Sequence, residues 1–185
     1  IVDFAVQSRG QSLRAGLDAW HAKAEGNAVA DYGFHMIMSD VNDDTLAEMD
    51  GLVAEGVPDF KLFTAYPGVF YSDDGQILRA FQTASENGAM IMMHAENGIA
   101  IDVLVQQHLA KGETDPKFHS ISRPSLLEGE ATNRAIVLSK VAGNDTGNRQ
   151  FQTTLYYSIF SQFMRVARRD KRAGKVVRRA VAFDE

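Results

Sequence analysis

The sequence predicts an α/β fold built on a parallel sheet. Short apolar β-like runs and amphipathic helical runs alternate four times, at a period of roughly thirty residues, the repeat length of strand–helix units. The β-like runs are apolar on both faces, the pattern of parallel strands covered by helices. Two architectures fit this alternation, a (β/α) barrel and an open doubly wound sheet. No Gly-x-Gly-x-x-Gly follows the first strand, which weakens the dinucleotide-binding version of the second.

The elements follow in order. Ile1–Gln7 alternates and reads as a strand. From Ser12, the residues Leu13, Leu17, Trp20 and Ala24 fall at helical spacing, and Gly26 ends that helix. Phe34–Ser39 is a second strand leading into Asp40-Val41-Asn42-Asp43-Asp44. Asp43 or Asp44 is expected to cap a helix carrying Leu46, Met49 and Val53, with Gly56 and Pro58 as stops. Phe60–Thr64 is the third strand. A helix around Ile77, Leu78, Phe81 and Ala84 follows and stops at Gly88. Ala89–His94 is the fourth strand and Ile99–Ala110 its helix. A polar loop, Glu113–Pro124, then reaches Ser125-Leu126-Leu127-Glu128, which reads as a capping box opening a helix to about Ala142.

Beyond Gly143 the alternation stops. Asn144–Arg149 is turn-like where a fifth strand is due. Leu155, Ile159, Phe163 and Val166 then suggest an amphipathic helix running into Arg168-Arg169-Asp170-Lys171-Arg172. The chain therefore divides into an α/β portion, residues 1–144, and a basic, helical tail, residues 145–185.

Composition narrows the function classes. With 45% hydrophobic and 23% charged residues, the 185-residue chain is neither disordered nor a membrane protein in type. No apolar run approaches the roughly 18 residues of a membrane span, and the N-terminus has no basic secretory n-region. It also lacks Met and starts within a strand, so the chain reads as a piece of something longer. The absence of cysteine excludes disulfides and thiolate metal sites and makes a reducing cytoplasm the expected location. The net charge of −5 hides basic residues concentrated between Arg165 and Arg179; no motif or aromatic interleaving there marks a nucleic-acid surface.

In a parallel α/β sheet, reactive groups gather at the carboxyl ends of the strands. Three strands deliver polar residues there: Ser39-Asp40, Lys61 running on to Tyr66, and His94-Ala95-Glu96-Asn97-Gly98. Lys61 interrupts an apolar strand, Asp59-Phe60-Lys61-Leu62-Phe63-Thr64, although lysine is almost never fully buried without a partner. Each residue also has a structural role open to it. His94 could be a core histidine bonded to a carbonyl, Glu96 a helix cap, and Tyr66 packing for its Pro67-Gly68 turn. Met90, Met92 and Met93 read as core filler. His35, at the start of its strand, reads as structural, and His21, His108 and His119 as solvated. A functional role would pair Lys61 with His94. A lysine enters a metal site only after losing its positive charge, for instance as a carbamate made with carbon dioxide. The oxygens of that anion can bridge two cations, which balance its burial. Imidazole is a natural companion ligand for zinc.

Asp59-Phe60-Lys61-Leu62-Phe63-Thr64-Ala65-Tyr66, Met92-Met93-His94-Ala95-Glu96-Asn97-Gly98, and Arg123-Pro124 with Glu128 and Glu130-Ala131 together resemble the hydantoinase/dihydropyrimidinase family. These are cyclic amidohydrolases of the metal-dependent TIM-barrel superfamily. The match runs from Ile1 to about Asn144. The resemblance implies a partial (β/α)8 barrel covering about the second to fifth strands, with Lys61 as the carboxylated bridging ligand and His94 as a metal ligand. It implies that Tyr66 is catalytic and substrate-binding, hydrogen-bonding the substrate carbonyl and the oxyanion formed on it. Arg123, Glu128 and Glu130 read as loop and helix anchors. It also implies two divalent metal ions of the zinc type, a cyclic ureide or imide substrate, and a homotetramer. Membrane and nucleic-acid partners are not expected.

The departures are specific. The family's His-x-His pair would lie upstream of Ile1, Gln150 stands about where a further histidine is expected, and the aspartate of the last strand has no counterpart. The segment after Asn144 does not resemble the family. The expected function is therefore that of a piece of an enzyme hydrolysing hydantoins or dihydropyrimidines to N-carbamoyl amino acids, inactive alone, with open strand edges. Alternatives are an allantoinase-like enzyme, a non-catalytic relative kept as an assembly module, and an unrelated α/β domain gripping an anion with Lys61. Retention of Lys61, Tyr66 and His94 together argues against the assembly module.

Overall fold

A computed structural model describes residues 1–143, and the expectations for the helical tail lie outside the described residues. The described elements are β1 (Val2–Val6), α1 (Leu13–Ala24), β2 (Gly33–Ile37), α2 (Asp43–Ala54), β3 (Asp59–Phe63) and α3 (Asp74–Asn87). They continue with β4 (Met90–His94), α4 (Gly98–Ala110), α5 (Lys117–Ile121) and α6 (Ser125–Val141). None of the described helices is long and apolar enough to cross a membrane.

The strands form one parallel sheet in the order β1-β2-β3-β4. This order decides between the two architectures. A doubly wound sheet reverses its strand order at a switch point, and no reversal occurs among the described strands. Right-handed crossovers between consecutive neighbours put the connecting helices on the same side. That is the construction of a (β/α) barrel segment.

The two faces of the sheet accordingly differ. Side chains alternate along a strand, and Ala5, Phe34, Met36, Phe60, Leu62, Ile91 and Met93 join the buried cluster with Leu17, Met49, Leu52, Ile77 and Phe81. The intervening residues Phe4, His35, Lys61, Phe63, Met92 and His94 are outside that cluster. The expectation of a helix layer on both faces is thus corrected. One face is helix-covered, and the other is the inner face that a closed barrel would enclose.

The helix layer also differs from expectation. Contacts run from α1 to α2, α2 to α3, and α3 to α6. The place beside α3 belongs to α6, and α4 with α5 forms an excursion between β4 and that helix. The segment expected as a polar loop contains α5, Lys117–Ile121.

Two caps were misassigned by sequence. Asn42, not Asp43 or Asp44, caps α2 in a reciprocal box with Thr45. Both aspartates occupy the first turn, where negative charge suits the helix dipole. Ser125 is the first residue of α6 rather than its cap. The N-cap is Pro124, which has no side chain able to accept, so no side-chain cap bond forms.

Candidate active site

The register of β3 and β4 sets the site's scale. Lys61 pairs with Met92, and Phe63 pairs with His94. Residues two apart share a face, so Lys61 and His94 lie on the same inner face, His94 one such step, about 7 Å, further along the sheet. Lys61 is mid-strand rather than at the strand end, but its side chain is long enough to span that step.

The Lys61 side chain runs between aromatic rings. Its Nζ is 4.5 Å from the centroid of Phe4 on β1 and 5.2 Å from that of Phe63. Only 8% of the residue is exposed. Burial pushes the Lys61 ammonium below the ordinary lysine pKa, because the charged form loses hydration. A neutral amine is favoured relative to a solvated lysine. That is also the form able to attack carbon dioxide.

Phe63 connects the three residues singled out from sequence. Its ring stacks on His94 at 5.4 Å with planes 19° apart, and lies 5.9 Å from Tyr66. Tyr66 in turn lies 5.2 Å from the His94 ring, centroid to centroid. Sequence reasoning did not single out Phe63. The signal was there, since residue 63 must share the face of residue 61 in a strand.

Tyr66 leaves β3 through an unusual backbone. Its φ of 60° makes it the one non-glycine with positive φ among the described residues. For such a side chain this conformation costs about 1–3 kcal/mol. Its carbonyl accepts from the amides of Val69, Phe70 and Tyr71 at 3.1–3.2 Å. Ser72 N–H donates back to the Phe63 carbonyl at 2.9 Å. These bonds hold the strained turn and leave Tyr66 41% exposed, beside the end of β4.

His94 is held at both ends. Its Nε2 is 2.9 Å from Glu96 Oε2. Its carbonyl accepts the Thr64 amide at 3.1 Å. The Thr64 hydroxyl is within reach of the His94 carbonyl at 3.2 Å and the Glu96 carbonyl at 2.8 Å. Glu96 therefore is not the cap of α4; Asn97 is, accepting from Ala100 N–H.

Other expectations resolve into structural roles. Gln7, fully buried, accepts from the amides of Ser39 and Asp40 at 2.9 and 3.0 Å, and Ser39 Oγ donates to the Gln7 carbonyl. Asp40 accepts from Gly10 N–H. The Ser39-Asp40 end of β2 is therefore engaged in bracing the β1 loop. His35, at the opposite end of the sheet from Tyr66, pairs with Asp59 at 2.9 Å. His108, expected to be solvated, instead pairs with Glu113 at 2.6 Å and contacts Phe118. Glu130 anchors the start of α4 through Asn97 and also pairs with Arg134. Arg123 bonds back to His119.

Among the described residues, no three of His, Cys, Asp or Glu converge as a metal-binding group. The donors that fit a cation are Lys61, once made anionic, and the ring nitrogen of His94 not engaged by Glu96. On their common inner face they are flanked by the rings of Phe4 and Phe63, an apolar setting that strengthens charge interactions.

No family model matches the chain. Its sequence is 75% identical over 143 residues to a D-hydantoinase of Streptomyces coelicolor, covering 77% of this chain and 31% of that protein. It is 36% identical over 140 residues to a dihydropyrimidinase of Rattus norvegicus, covering 75% and 27% respectively. A crystal structure of a D-hydantoinase superposes with a TM-score of 0.75 at 46% identity, covering 77% of this chain and 31% of that one. The chain thus spans about a third of the length of the curated relatives it matches.

Proposed function

The chain belongs, as a partial chain, to the hydantoinase/dihydropyrimidinase family, and from that we propose that the whole protein is a cyclic amidohydrolase. The reaction is hydrolysis of the ring amide of a hydantoin or dihydropyrimidine to an N-carbamoyl amino acid. The observation that carries this reading is the gathering of Lys61, His94 and Tyr66 around Phe63 on the uncovered face of the sheet. The names of the relatives favour it over the allantoinase-like and assembly-module alternatives.

In this reading, the neutral Lys61 amine adds to carbon dioxide. A bond forms from Nζ to carbon, one carbon–oxygen π pair moves onto oxygen, and the proton leaves to solvent. Lys61 as N6-carboxylysine and His94 through Nδ1 are the residues of this chain that would hold metal, two divalent ions of the zinc type. When bound, such ions supply a hydroxide at neutral pH and polarise the substrate carbonyl.

The chain's own residues orient and donate. Tyr66 offers its phenol hydrogen to the substrate carbonyl oxygen, and the bond strengthens as that oxygen gains negative charge. The strained backbone at Tyr66 fixes where the donor starts, so little reorganisation is needed at the moment of reaction. Phe63 and Phe4 keep water from the Lys61 stem. The assembly that goes with this reading is a homotetramer, in a reducing cytoplasm that suits a cysteine-free chain.

Native mass measurement and metal analysis of the protein at its full natural length test the proposal. One added carbon dioxide and about two zinc-type ions per chain are expected, both lost in Lys61→Ala together with hydantoin hydrolysis. An unmodified Lys61 in a metal-free wild-type protein would sink it.

A further inference from the structure

We propose that Glu96 is a positioning residue that fixes the proton of His94 on Nε2 and so presents Nδ1 to the metal. The inference rests on the reading of His94 as a ligand and goes one residue beyond it. A carboxylate only accepts hydrogen bonds, so the ring nitrogen 2.9 Å from Glu96 Oε2 must carry the hydrogen. In the neutral ring, the form that can bind a metal, Nδ1 is then the nitrogen with a lone pair to give. Ligating histidines commonly hand their other N–H to a carboxylate in this way, which sets the tautomer and raises ligand basicity.

What separates Glu96 from an incidental neighbour is the way its position is enforced. The side chains of His94 and Glu96 are 27% and 21% exposed, so the pair is largely withdrawn from solvent. The Glu96 carbonyl sits 2.8 Å from the Thr64 hydroxyl, and Thr64 is itself buried. The following residues are pinned as well, Asn97 N–H to the Leu127 carbonyl and Gly98 N–H to the Thr64 carbonyl. The stacked Phe63 ring sets the plane of the imidazole. Stacking leaves two orientations of that ring related by a flip, and Glu96 distinguishes them.

The test uses the full-length protein and two readouts besides activity. Nitrogen NMR of the metal-free wild type, labelled at histidine, should show His94 with its proton on Nε2, slow to exchange with water. Zinc affinity, measured by competition with a chelator, should fall ten- to a hundredfold in Glu96→Ala. It should recover in part in Glu96→Gln, whose amide oxygen still accepts the N–H. Circular dichroism establishes that both variants fold, and the wild-type NMR needs no variant. A His94 proton found on Nδ1, or zinc bound by Glu96→Ala as tightly as by wild type, overturns the inference alone. A wild-type protein that holds no metal overturns the underlying reading, and this inference with it.

Discussion

Gly98 offers a test of the packing that sets the candidate site, independent of any assigned chemistry. A Cβ placed on Gly98 would lie 2.6 Å from Ala65 Cα and 2.8 Å from the Thr64 carbonyl oxygen. Both are backbone atoms, so no flexible side chain can swing aside. Reaching an ordinary 3.4 Å contact requires α4 to retreat by about 0.8 Å. The same retreat stretches the 2.9 Å bond from Gly98 N–H to the Thr64 carbonyl beyond hydrogen-bonding range. Overpacking costs about 1–3 kcal/mol and the lost bond about 1 more, so Gly98→Ala should destabilise by about 2–4 kcal/mol. Gly129, inside α6, meets nothing within 4 Å. Gly129→Ala should instead stabilise by up to about 1 kcal/mol through helix propensity. Equilibrium urea unfolding, with near-ultraviolet circular dichroism as the probe, reads both variants against wild type. If Gly98→Ala proves as stable as Gly129→Ala, the close approach of α4 to the end of β3, and the pinning of the Glu96 segment argued from it, is wrong.

Three further outcomes are expected. If the proposed reaction holds, Tyr66→Phe should lower kcat about 10²–10³-fold, with KM changed far less and unfolding unaffected, because it removes the donor assigned to the developing oxyanion; steady-state kinetics of the full-length protein on dihydropyrimidine and hydantoin rings reads this. For the metal-free protein, burial holds the folded Lys61 pKa below the ordinary 10.5. The unfolded chain therefore binds more protons between those two values, and wild-type stability should climb with pH across that alkaline window relative to Lys61→Met; matched unfolding curves at stepped pH check the slope. Asp59→Asn, by weakening the His35 bond at the far end of the sheet, should cost about 0.5–1.5 kcal/mol yet leave metal content unchanged by elemental analysis.

Strand and helix existence was legible because each residue's neighbours in sequence carry those signals. The Lys61 strand, the Gly88 stop and the His94 terminus all follow from local pattern. Which helix packs beside α3 was not legible. Both Ile99–Ala110 and the helix opening near Ser125 look acceptable in isolation, and only the tertiary contact of α6 with α3 decides between them. The same limit applies to Glu96. A glutamate two residues before a helix reads equally well as a cap, and only the fold shows that Asn97 caps while Glu96 turns back to His94. Phe63 was predictable from alternation along its strand, but not the stacking that makes it the common neighbour of Lys61, Tyr66 and His94.

The excursion of α4 and α5 outside the helix layer has a consequence for how the protein breathes. Helices α1, α2, α3 and α6 share one continuous row of contacts, whereas α4 meets α5 and is tied to the layer chiefly at its start, through Asn97. In amide hydrogen exchange, the layer helices should therefore open together at high free energy, while the far end of α4 and all of α5 open earlier as a separate unit. Natural variation and engineered insertions should concentrate in that same unit, since changing it disturbs neither the row of helices nor the strands that carry Lys61 and His94.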